Sequence, residues 1–346
     1  MPGMCPPPPP PPPSTSGAKK KKGMKVLLVV ADNERPKCSI YEQSKMVNET
    51  LRHTTLDVTT LDLGSSSSLP SPTELNEQYD VAIFVYHFLV MEFIPKEFFQ
   101  ALTIPRVCVN FETRNPSPWD TPSHTETKML RELFDYVVVP GKNLPGENTL
   151  LIPRMIQRFD AIERPINWDK PVFSYFGFPN VFKDIVGQMD AVNREFEEGV
   201  FRLHVPTNSG APESLVRHTA NLVAECQRTA RPGIEVVVTD HFMGSEELVE
   251  WLNQSDLNMF FYTRGRDPET RGTYPAAVDR AVAAQRPIAV QRWVCTEELL
   301  EYIDPYPEKN LRQLMEEGID GVRTLYEIGD PEKVAVTLDT WLRSLV

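Results

Sequence analysis

The stretch PVFSYFGFPNVFKDIVGQMDAVNREF, residues Pro171–Phe196, decides how the chain is read. It opens as a short apolar run and stops at Gly177 and Pro179, which is how a buried strand meets a turn. Phe182, Ile185, Val186, Met189 and Phe196 then recur at helical spacing, so one face of a helix predicted over Val181–Phe196 is a core stripe. A strand that hands over to an amphipathic helix through a short turn is half of a βαβ unit. Sheets built of such units are parallel and covered on both faces.

The same alternation continues in both directions. Downstream, strands are predicted at Phe201–Val205, Glu235–Thr239, Leu257–Tyr262 and Pro287–Gln291, separated by helices at Pro212–Arg228, Ser245–Asn253 and Tyr274–Gln285. Upstream, strands are predicted at Lys25–Val30, Leu56–Leu61, Asp80–Tyr86, Arg106–Phe111 and Tyr136–Val139, with helices at Ser39–Arg52, Pro95–Leu102 and Thr125–Phe134. Between the two halves, Arg158–Lys170 is polar, carries Pro165 and lacks apolar periodicity, so it reads as a hinge. The expected fold is α/β, two doubly wound Rossmann-like lobes facing a cleft, the first over residues 24–165 and the second over 166–346.

Residues 1–23 stand outside this pattern. The run Pro6–Pro13, a Ser/Thr/Gly stretch and Lys19–Lys22 cannot bury enough apolar surface to order themselves, and a disordered tail is expected. A polyproline ligand or a basic membrane tether is the functional alternative, and no apolar core follows the lysines as in a signal peptide. The chain as a whole has ordinary globular composition, 41% hydrophobic and 24% charged over 346 residues. It offers no run of about 18 apolar residues, so no integral membrane segment is expected. A formal net charge of −12 argues against a general nucleic-acid binder. Five cysteines without a CxxC pair or zinc-finger histidines point to a reducing, cytoplasmic setting and to no structural metal.

Doubly wound sheets bind ligands at the carboxyl ends of their strands, so the chemistry is sought in the loops there. Ala31–Cys38 contains no glycine, which excludes both a GxGxxG dinucleotide fingerprint and a P-loop. The richest loop is Tyr262–Thr273, where Arg264, Arg266 and Arg271 crowd together and Gly272 precedes Thr273, a good N-cap with Pro275 in the first turn behind it. A helix N-terminus with arginine forks is suited to phosphate, although Asp267 and Glu269 are also placed to neutralise the arginines. Gly177–Asn180, with Lys183 expected just inside the next helix, forms a second anion candidate, with Asp184 as the alternative partner for the lysine. The loops His204–Gly210 and Asp240–Gly244 carry small polar residues suited to a sugar or base pocket, as connecting loops in general do. In the first half, His87 and Glu112 follow predicted strands. His87 is placed for a proton acceptor, or equally for a residue packed between Tyr86 and Phe88. The loop Asn115–His124, with Trp119 and Asp120, is a candidate cover for an acceptor.

The second half also resembles the nucleotide-sugar lobe of retaining glycosyltransferases of the family 4 kind, from Val172 to about Trp293. The resemblance rests on Phe176-Gly177-Phe178 followed by Lys183, on Glu247-Leu248-Val249 leading to Ser255–Phe260, and on Ala281–Val290. It implies the two-lobed glycosyltransferase B fold, with a nucleotide-diphosphate sugar as co-substrate in the second lobe and a glycan, lipid or protein acceptor held by the first. In that reading Gly177, Lys183, Arg264, Arg266, Arg271, Gly272 and Thr273 hold the nucleotide sugar, and no metal or other cofactor is implied. Such enzymes carry two glutamates eight positions apart, and alignment on Ala281–Pro287 puts Gly272 and Arg280 there. Asp279 lies one residue away, about 100° around a helix, and replaces the ribose-binding acid only if the register slips. A catalytically inactive binding or scaffold protein, or a sugar-nucleotide epimerase on the same fold, is therefore carried as the alternative.

Overall fold

The computed structural model describes residues 23–30, 39–63, 69–85, 94–111, 132–140, 148–179, 183–206, 213–263, 276–294 and 297–346. Two sheets, each parallel throughout, carry the chain. The first holds β1 (Lys25–Val30), β2 (Asp57–Asp62), β3 (Val81–Val85), β4 (Arg106–Val109), β5 (Tyr136–Pro140) and β6 (Thr149–Ile152) in the order β2-β1-β3-β4-β5-β6. The second holds β7 (Val172–Phe176), β8 (Gly199–His204), β9 (Ile234–Thr239), β10 (Leu257–Phe260) and β11 (Ile288–Val290) in the order β11-β10-β7-β8-β9. Central strands are apolar without alternation because helices cover both faces: Val26 to Val29 and all of β3 are buried.

Helices α1 and α3 to α7 follow the predicted stripes, whereas α2 and α8 to α11 were not predicted. In the first half α1 spans Ser39–Arg52, α2 Pro72–Gln78 and α3 Lys96–Ala101. In the second, α4 spans Ile185–Glu195, α5 Glu213–Thr229, α6 Ser245–Asn253 and α7 Ala276–Ala283. Beyond them lie α8 (Glu297–Leu300), α9 (Leu311–Glu317), α10 (Ile319–Ile328) and α11 (Pro331–Arg343). Of the helix predicted over Thr125–Phe134, only the part from Glu132 onward falls among the described residues.

One helix start is corrected. The sequence places Lys183 in the first turn of α4, but Asp184 is the N-cap, its carboxylate accepting from the Gly187 amide at 2.9 Å. Lys183 therefore precedes the helix and pairs as a single antiparallel bridge with Tyr262.

The linker leaves β6 and reaches β7 without regular structure, which agrees with its polar composition. It is nonetheless anchored. Arg158 stacks over the Tyr326 ring at 4.2 Å and pairs with Asp330, while the Phe159 carbonyl accepts from the Tyr326 hydroxyl at 3.1 Å. Immediately afterwards α11 returns to the first lobe. Val334, Leu338 and Leu342 enter the same buried cluster as Val26, Leu28, Met46, Val47 and Leu51, and Trp341 meets Tyr136 edge-on at 5.8 Å. The division at 165/166 expected from sequence places these residues in the second lobe, whereas their packing lies in the first.

Candidate functional site

In the second sheet the chain runs from β7 outward to β9 on one side and returns to β10 on the other. The loops after β7 and β10 therefore leave the sheet in opposite directions and open a crevice between them. A cavity of about 440 Å3 occupies that crevice. Phe176, Gly177, Lys183, His204 and Tyr262 form its floor at the strand ends, Met243 and Leu248 one wall, and Ala276, Ala277 and Arg280 of α7 another. Glu42 and Gln43 of α1 close it from the first lobe.

Gly177 has φ of +133°, a conformation that side-chain-bearing residues rarely adopt, and its amide donates to the His204 carbonyl at 3.1 Å. The turn thus brings bare backbone to the cavity floor. Lys183 lies beside it with its ammonium 3.8 Å from the Tyr262 ring centroid and hydrogen-bonded to the Tyr262 hydroxyl. Among the described residues no carboxylate pairs with it, and Asp184 serves as the helix cap. Burial of the ammonium lowers its pKa to about 7. A cation held by an aromatic ring and a phenol gains from an anionic ligand, which would restore its charge.

His204 ends β8 nearly fully buried, its ring 5.8 Å from that of Trp251 and 6.3 Å from that of His241. Burial lowers its pKa to about 4, so the imidazole is neutral at physiological pH. Its Nδ1 meets no partner among the described residues. It is therefore a polar group held ready at the cavity floor rather than a cation.

Asp279 and Arg280 part company on α7, as a turn of about 100° per residue requires. Asp279 is buried between the lobes, accepting from Arg154 Nη2 at 2.6 Å and from Gln43 Nε2 at 2.6 Å. Arg280 faces the cavity, where it pairs with Glu42 at 2.7 Å and donates to Gln157. Asp279 is not among the residues lining the cavity.

Of the residues singled out from sequence, Gly177 and Lys183 thus meet in one cavity, and Asp279 lies behind it. His87, Glu112, Arg264, Arg266, Arg271, Gly272 and Thr273 lie outside the described residues, although Tyr262 and Ala276, near the two ends of the arginine-rich segment, both line the cavity. Sequence reasoning did not single out Glu42, Gln43, Arg154 or Tyr262 as partners in this region. Their pairing spans up to 238 positions, and nothing local signals it. No group of three His, Cys, Asp or Glu side chains among the described residues is arranged to hold a metal ion.

No protein-family model matches the sequence, and no curated protein does. Solved structures match its fold over nearly the whole chain. OtsA in its apo form aligns with a TM-score of 0.63 at 10% identity, covering 94% of this chain and 100% of that one. The lipopolysaccharide outer core galactosyltransferase WaaB aligns at 0.62 and 10% identity, covering 93% and 100%. The UDP-forming alpha,alpha-trehalose-phosphate synthase from Burkholderia xenovorans aligns at 0.58 and 12% identity, also covering 93% and 100%. The architecture is the two-lobed glycosyltransferase B fold.

Proposed function

We propose that the chain is a glycosyltransferase that holds a nucleotide-diphosphate sugar in the second-lobe cavity and transfers the sugar to a glycan, lipid or protein acceptor presented by the first lobe. The observation that carries this reading is Lys183, a cation without a carboxylate partner among the described residues, set beside the Gly177 turn at the switch point of the second sheet. The diphosphate would meet Lys183, which takes up a proton as the anion arrives, and Arg280 would approach it from α7. Arg264, Arg266 and Arg271, with the amides near Gly272 and Thr273, are assigned to the same charge. Cations in this number stabilise a departing nucleotide diphosphate without a bound metal.

The first lobe supplies the acceptor side. His87 and Glu112 follow the carboxyl-terminal ends of β3 and β4, and these two residues are assigned to acceptor contacts and proton transfer. No helix among the described residues is long and apolar enough to cross a membrane. A cytoplasmic setting, with a sugar nucleotide as the partner, is part of the proposal.

A second reading is favoured by one observation. Among the described residues, the only acid lining the cavity is Glu42, which is paired with Arg280, while Asp279 is taken up between the lobes. A protein that binds a nucleotide sugar without turning it over would look the same. Calorimetric titration with UDP, GDP and ADP, followed by assay of donor-sugar hydrolysis, separates the two. Saturable binding of at least one nucleotide, lost by tenfold or more in Lys183→Met, is expected. Binding without hydrolysis or transfer selects the second reading, and no binding to any of the three would falsify the site.

A further inference from the structure

The second sheet has another cavity, of about 610 Å3, at the end where its strands begin. The linker residues around Arg164, the turn Gln285–Pro287 before β11, and the facing ends of α9 and α10 enclose it. It lies at the opposite end of the sheet from the cavity holding Lys183.

Of the charged groups around it, one has solvent-shielded nitrogens that meet no partner among the described residues. Arg286 is engaged on every nitrogen, donating from Nε to the Ser255 carbonyl at 2.7 Å, from Nη2 to Asp256 at 3.1 Å and from Nη1 to the Arg164 carbonyl at 2.9 Å. Arg323 pairs with Glu163 at 2.6 Å, leaving the exposed Glu316 as the other lining acid. Arg202, which lies nearby in β8, stacks on Trp251 at 4.2 Å and donates to its carbonyl at 3.2 Å. Burial, and after it the neighbouring Arg164, lowers the basicity of both Arg202 and Arg286.

Arg164 is the exception. Its Nε and Nη2 atoms are shielded from solvent and meet no acceptor among the described residues. That edge of a guanidinium is the one that grips a carboxylate or phosphate with two parallel bonds. Elsewhere in the chain it does so: Arg106 grips Asp135 at 2.9 and 2.6 Å, and Arg154 grips Asp279 at 3.3 and 2.6 Å. Leaving such an edge buried and empty is unfavourable, and two neighbouring guanidiniums raise the demand for negative charge. Asp256 does not meet it, since its oxygens already accept from Arg286, from the Val172 amide and from the Asn167 amide.

We propose that this cavity binds a small organic anion, with Arg164 turning its free edge onto a carboxylate or phosphate head and Ile166, Met315 and Ile319 receiving an apolar body. The volume suits such a molecule, since ligand cavities span about 300–1,000 Å3. Because the two cavities lie at opposite ends of the sheet, this ligand and a nucleotide bind together.

The test is calorimetric titration of the full chain with phenyl phosphate, with benzoate, and with inorganic phosphate as the head alone. One of the two organic anions is expected to bind saturably. Arg164→Gln should weaken it at least tenfold, Arg164→Lys should fall between, and UDP affinity should stay at the wild-type value in both. Failure of both organic anions to saturate, or an Arg164→Gln variant that binds like wild type, overturns the proposal. Inorganic phosphate binding as tightly as phenyl phosphate overturns the apolar half of it. If Arg164→Gln does not fold, a wild-type crystal soaked with phenyl phosphate decides. Density bridging Arg164 Nε and Nη2 supports the site, and density elsewhere or none refutes it.

Discussion

Lys183 is the residue on which the candidate site turns, and its protonation gives a measurable signature. Burial moves its pKa from 10.5 in the open chain to about 7 in the folded protein. Below pH 7 both states hold the proton and the fold bears the cost of the buried charge. Between pH 7 and 10.5 only the unfolded chain binds it, so stability attributable to this group rises with pH across that window. A diphosphate reverses the shift. UDP binding at pH 8 is therefore expected to take up close to one proton, read as a dependence of the calorimetric heat on the ionisation enthalpy of the buffer, and affinity should fall as pH rises above 7. Lys183→Met should abolish the uptake and raise Tm at pH 6. A heat independent of buffer would remove Lys183 from the site. The position of Lys183 beside a strand-end glycine was legible in sequence, because Gly177 and the apolar run before it mark the turn. Its partner was not, because Tyr262 lies 79 positions away and reaches it only through sheet order.

At the scale of elements, α7 divides two adjacent charges between two tasks. Asp279 faces the seam between the lobes, where Arg154 and Gln43 meet it, and Arg280 faces the cavity. Both members of the seam pair are nearly fully buried, so removing one takes from the other its partner in a buried ion pair. Asp279→Asn and Arg154→Met should each destabilise the protein by roughly 3–5 kcal/mol in denaturant titration, while the double variant Arg154→Met/Asp279→Leu recovers most of that loss. Losses confined to UDP affinity, with stability unchanged, would instead place Asp279 on the ligand. The strands other than β6, and helices α1 and α3 to α7, were predicted to within a few residues because their apolar spacing is their reason for existing. α2 was missed because Leu75 is its one buried residue and a capping box, Ser71 with Glu74, holds its start. β6 was missed because it lies at the edge of its sheet with Ile152 as its one buried residue, so it carries no buried apolar run. From α8 to α11 the strand–helix alternation that guided the prediction stops, so helical stripes there had no strand to be assigned to.

At the scale of the whole molecule, the two lobes are not joined by the linker alone. α11 completes the first lobe's core from the far end of the chain, and Arg158 with Asp330 ties the linker to its start. Leu338→Ala should cost about 2–5 kcal/mol, as for a fully buried leucine. Ending the chain at Asp330 should strip hydrogen-exchange protection from β1, β3 and β4 while β7, β8 and β10 keep theirs. Equal loss in both sheets would mean that the lobes fold as one unit. The same helix sets an order of events at the ribosome. The strands of the first sheet emerge early, yet the cluster that Val334, Leu338 and Leu342 complete stays open until α11 is made, a wait on the order of ten seconds or more at ordinary elongation rates. The strands of the second sheet all emerge before α11 does, so the cluster begun first is completed after them. A chain that stops short of α11 leaves Val26, Leu28, Met46, Val47 and Leu51 without Val334, Leu338 and Leu342 to cover them.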